Sequence, residues 1–142
     1  MQAIIKTNFR LSARRGTTLV EMALALTLLM TLTLGVVEYG WLFLKQQQVT
    51  NAARQAARIA STADATNSTV NSEISTLMSS YGMGSTGYTT TLSPTDVSTA
   101  ARGSSVSVEI SVTYSRVTIT NFRILPMPTN LSATVAMQKE GS

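Results

Sequence analysis

The chain has 142 residues, no cysteine and no histidine, and a formal charge of +4. No disulfide framework and no thiolate chemistry can be built from it, and the commonest metal ligand and general base are missing. The charge is not the footprint of a nucleic-acid binder: Lys6, Arg10, Arg14 and Arg15 precede Gly16, and from Thr17 onward seven basic and seven acidic residues balance.

The first predicted element follows this basic leader. From Leu19 to Leu44 the chain reads LVEMALALTLLMTLTLGVVEYGWLFL, with no charge between Glu21 and Glu38. A hydrocarbon core about 30 Å thick takes about 20 helical residues, so a span over about 19–41 is expected. Glu38, Tyr39, Trp41 and Lys45 are then expected at the membrane interface, the aromatic rings as a belt and Lys45 reaching outward. A cleaved secretory signal fits poorly, because its apolar core would be shorter and would end in a small-residue cleavage site. The basic flank predicts a cytoplasmic N-terminus and an extracytoplasmic C-terminus.

The helix is expected to continue. QQQVTNAARQAARIAS contains neither Gly nor Pro, and Val49, Ala52, Ala53, Ala56 and Ala60 recur at helical steps. Asn51, Arg54, Gln55 and Arg58 take the other side. A helix over 17–60 would measure about 66 Å at 1.5 Å per residue.

Glu21 stands out. A carboxylate inside an apolar helix costs a few kcal/mol and points to function by default. The segment Arg14-Arg15-Gly16-Thr17-Thr18-Leu19-Val20-Glu21 resembles the signal of type IV prepilins. That resemblance implies cutting after Gly16 by a membrane prepilin peptidase on the cytoplasmic side. It leaves Thr17 as the new N-terminus; a buried charge is tolerable when paired, so Glu21 is expected to pair with the Thr17 amine, on a neighbouring subunit or within one chain. Together with Val37-Glu38-Tyr39-Gly40 and with Gln48 to Arg58, the segment resembles the TadE-like pseudopilins of tight-adherence (Flp) pili. Thr17 stands where many type IV pilins carry an aromatic residue that becomes methylated, and Met22 follows Glu21 where many have Phe or Tyr.

Beyond the helix, Ser61 to Ser72 reads as a polar linker. Val70, Ile74, Leu77, Met78 and Tyr81 suit a short amphipathic helix ended by Gly82 and Gly84. Val106, Val108, Ile110, Val112 and Tyr114 alternate with polar residues as one strand, with a turn or bulge expected near Ser115-Arg116. Leu131, Ala133, Val135 and Met137 give a last strand, and Gly87 to Leu92 a weaker one. The expected fold is α+β: a leader over 1–16, a helix over 17–60, and an extracytoplasmic domain over 61–142 with a small antiparallel sheet.

No catalytic constellation, cofactor site or metal cluster is legible. Asp64, Glu73, Asp96 and Glu109 are too spread for a calcium loop, and Asn67-Ser68-Thr69 and Asn130-Leu131-Ser132 read as chance matches to a glycosylation acceptor. The resemblance implies a non-enzymatic minor pilin or pseudopilin. Its partners would be membrane lipid, a prepilin peptidase, other pilin or pseudopilin subunits and the pilus assembly platform, with no nucleic acid. The family's major pilin is hardly more than the helix, so the outer domain implies a minor role. A permanently anchored binding or sensor module and a pseudopilin of a type II secretion system are the competing readings.

Overall fold

The computed structural model describes residues 12–119 and 126–141, with side chains described from Gly16 onward. Lys6 and Arg10 of the leader lie outside the described residues. The chain divides into two compact units, Met1–Val37 and Glu38–Ser142.

Helix α1 runs over Ser12–Ser61. In the first unit its side chains are mostly exposed, among them Leu19, Val20, Met22, Leu24, Leu26, Leu28, Leu29 and Leu32. The threonines do not break this apolar surface, because their hydroxyls turn back onto the helix. Thr27 Oγ1 donates to the carbonyl of Ala23, Thr31 to that of Thr27 and Thr33 to that of Leu29, each at 2.8 Å. Such back-bonding satisfies the hydroxyl without water. The helix from Gly16 is long and apolar enough to cross a membrane, with a mean hydropathy of 2.0 over its best window.

The second unit is α+β. Here α1 buries Val49, Ala52, Ala53, Ala56, Ala57 and Ala60 completely, while Asn51, Arg54, Gln55 and Arg58 stay exposed. Helix α2 covers Asn67–Ser80 and buries Val70, Ile74 and Met78. It begins inside the stretch read from sequence as a linker. The reason is local: the Thr66 side chain accepts from the Thr69 backbone while the Thr69 side chain accepts from the Thr66 backbone. This reciprocal cap satisfies two donors that a helix start otherwise leaves bare. Gly82, at a φ of 70°, turns the chain out of α2.

Three antiparallel strands follow, β1 over Thr89–Ser93, β2 over Ser105–Thr113 and β3 over Asn130–Gln138, in the order β1-β2-β3. Register sorts the faces. Val106 lies opposite Met137, Val108 opposite Val135, Ile110 opposite Ala133 and Val112 opposite Leu131, all within the apolar core or packed against it. Ser107, Glu109, Ser111 and Thr113 take the other face. The parity change after Tyr114 is a 3₁₀ turn over Tyr114–Arg116.

Candidate functional site

Two groups of residues were marked by the sequence, and the structure places them in different units. Gly16, Thr17 and Glu21 lie on the first unit's part of α1, all exposed. A Cβ built on Gly16 meets nothing within 4 Å, so the fold does not require glycine there.

Glu38, Tyr39, Trp41 and Lys45 belong to the second unit, and its own groups hold each of them. Glu38 is 1% exposed. The Tyr114 hydroxyl donates to its Oε1 at 2.6 Å, and the Thr118 hydroxyl donates to the same oxygen. Trp41 Nε1 donates to the carbonyl of Val117 at 2.6 Å, and the Tyr39 hydroxyl to that of Pro126 at 3.0 Å. Lys45, expected to reach outward, is 6% exposed; its Nζ donates to the carbonyl of Tyr81 at 2.7 Å and lies 4.9 Å from the centre of the Trp41 ring. The physical reason is that each polar tip finds an acceptor or donor within the fold, with Glu38 and Lys45 buried and Tyr39 and Trp41 half-buried.

These contacts form a clasp in which Glu38 and Trp41 tie α1 to the 3₁₀ corner after β2, Tyr39 to Pro126 and Lys45 to the end of α2. Gln46 extends it, with Nε2 donating to the carbonyl of Ser132 at 2.9 Å. At the far end of α1, Lys139 Nζ donates to the carbonyl of Ala60 and the Glu140 backbone N–H to that of Ser61. A cation at a helix C-terminus and a donor for a terminal carbonyl are both favourable there.

Tyr114 and Thr118 went unmarked by the sequence reading. A signal was present: Tyr114 continues the buried parity of Val106 to Val112, so its hydroxyl enters the core and needs a partner. Asn67 was likewise missed. Its side chain donates to the carbonyl of Thr95 and accepts from the Val97 N–H, fixing the start of α2 to the segment after β1.

Burial, with the hydrogen bond to Glu38 acting in the same direction, pushes the Tyr114 phenol from its ordinary 10.0 up to about 12. Tyr114 therefore contributes stability fully below about pH 10, and that contribution is lost as the pH rises toward 12. Denaturant unfolding of the full chain in micelles should show this alkaline loss, and Tyr114→Phe should flatten it. Parallel losses in both proteins would assign the effect to another group.

Among the described residues, no group of three or more acidic residues could hold a metal ion. Residues 16–58 match the family described as TadE-like protein. No curated protein matches the chain, and no solved structure does. The TadE-like family is structural and pilus-associated. The match over residues 16–58 is consistent with a TadE-like protein of Tad pilus systems.

Proposed function

We propose that this protein is a minor pilin or pseudopilin of a tight-adherence pilus, a non-enzymatic subunit cut by a prepilin peptidase between Gly16 and Thr17. It is held in the bacterial inner membrane by α1, with its N-terminus cytoplasmic and the unit beyond Val37 on the outer side. The observation that carries this reading is the Gly16/Glu21 spacing at the head of a long apolar helix whose side chains are exposed. The helix leads into a small α+β unit that supplies more than a fibre-forming helix needs. Glu38, Tyr39, Trp41 and Lys45 mark the outer membrane interface in this reading, with their polar tips held by the outer unit.

Since Gly16 has open space around its α-carbon, a larger residue there leaves the chain's own fold intact. Gly16→Leu should instead block the peptidase. N-terminal sequencing from cells with and without the peptidase tests this. The wild-type chain is expected to begin at Thr17 when the enzyme is present, and the Gly16→Leu chain at Met1 in both strains. A wild-type chain that keeps Met1 beside an active peptidase overturns the pilin reading and favours a permanently anchored binding module.

A further inference from the structure

Two turns of α1 carry different environments on their two sides. Glu38, Leu42 and Lys45 are buried in the second unit, yet Phe43 is 63% exposed and Leu44 45% exposed. Exposed polar residues resume only at Gln47. The helix surface that faces away from the outer unit therefore stays apolar past Glu38 and Trp41, as far as Leu44.

The corner after β2 lies alongside the earlier of these residues. Thr118 donates to Glu38, and Val117 accepts from Trp41. Measured along α1, Trp41 and Glu38 precede Leu44 by about 4.5 and 9 Å at 1.5 Å per residue. Outside α1, Ile119 is the only large apolar side chain among the described residues that is exposed, at 52%, and it sits in this corner. Several polar groups of the corner are met within the fold. The Val117 and Thr118 N–H groups both donate to the carbonyl of Tyr114, at 2.9 and 3.1 Å, and Trp41 takes the carbonyl of Val117. Backbone with its hydrogen bonds met internally is what a lipid environment demands.

We infer that the corner over 117–119 rests in the lipid interface, with Ile119, Phe43 and Leu44 against the acyl boundary. The outer unit is thus seated partly in the bilayer rather than standing clear of it. This rests on the reading of α1 as a membrane span. If the apolar exposed side of α1 is in lipid as far as Leu44, a corner level with Glu38 and Trp41 lies at greater depth. Removing a large apolar side chain from water is favourable, so an exposed isoleucine there has a reason to face lipid.

The chain has no native cysteine, so single labels can be placed cleanly. Full-length Leu28→Cys, Ile119→Cys and Thr91→Cys would carry a nitroxide in vesicles of phosphatidylethanolamine and phosphatidylglycerol. Collisional relaxation by oxygen, which partitions into lipid, is compared with relaxation by a water-soluble nickel chelate. Leu28 and Ile119 are expected to give oxygen-to-nickel ratios several-fold above that of Thr91. A lipid-like Leu28 with a water-like Ile119 overturns the seating and leaves the span standing. A water-like Leu28 overturns the span and the seating with it. An Ile119 label shielded from both reagents means protein covers the corner, which also overturns the proposal.

Discussion

Glu21→Gln is expected to insert in the membrane and to be processed like the wild type, and then to fail in assembly. The substitution keeps the size of the side chain and its hydrogen-bonding capacity while removing the charge. Insertion should even become easier, because an ionised carboxylate within an apolar segment is what costs free energy. In the proposed subunit the compensation is the Thr17 amine exposed by cleavage, contributed by a neighbouring chain. Breaking a desolvated charge pair by removing one partner costs about 3–5 kcal/mol. At about 1.4 kcal/mol per tenfold, that lowers association by about a hundredfold or more. The measurement is co-purification with other pilin subunits, together with pilus counts on cells. Thr17 and Glu21 are one helical turn apart, so pairing within a single chain is the competing account. Wild-type piliation by Glu21→Gln would show that the carboxylate has no part in holding subunits together.

Ile110→Ala should cost the second unit about 2–5 kcal/mol, a large share of the stability of a small domain. Ile110 is fully buried in the central strand, opposite Thr90 of β1 and Ala133 of β3. Its loss leaves a cavity that two flanking strands cannot close without giving up their own register. Ser111, the next residue, lies on the other face, and Ser111→Ala should stay within about 0.5 kcal/mol. Denaturant unfolding of the two variants in the same micelles gives the comparison. Equal midpoints would mean that the sheet's inner face is not what holds this unit together.

The pair also shows why some of the fold was readable in one dimension. β2 alternates without fault from Val106 to Val112, and α1 keeps a helical period across its alanines, so both elements are set by patterns that local sequence contains. The start of α2 was not, because Thr66 and Thr69 form a cap with a threonine where a glutamate or glutamine is the usual signal. The clasp was harder still. Glu38 and Tyr114 are 76 positions apart, and hydropathy around Glu38 describes an interface whether the side chain faces water, lipid or protein. Only the fold brings a buried tyrosine hydroxyl to it. The Gly16/Glu21 spacing is legible because it is local, and in the proposed subunit it is a signal for another protein to read rather than a demand of this chain's packing.

The alanine seam of α1 carries a consequence of its own. Ala52, Ala53, Ala56, Ala57 and Ala60 have no side-chain torsions to freeze, so ordering them against the core costs no rotamer entropy. Each also offers little area, so the grip is the sum of small gains. Tolerance at these positions is therefore one-sided. A serine or glycine adds little or no bulk to the buried seam, whereas any longer side chain overpacks it, and the limit on sequence drift along the seam is set by volume before polarity.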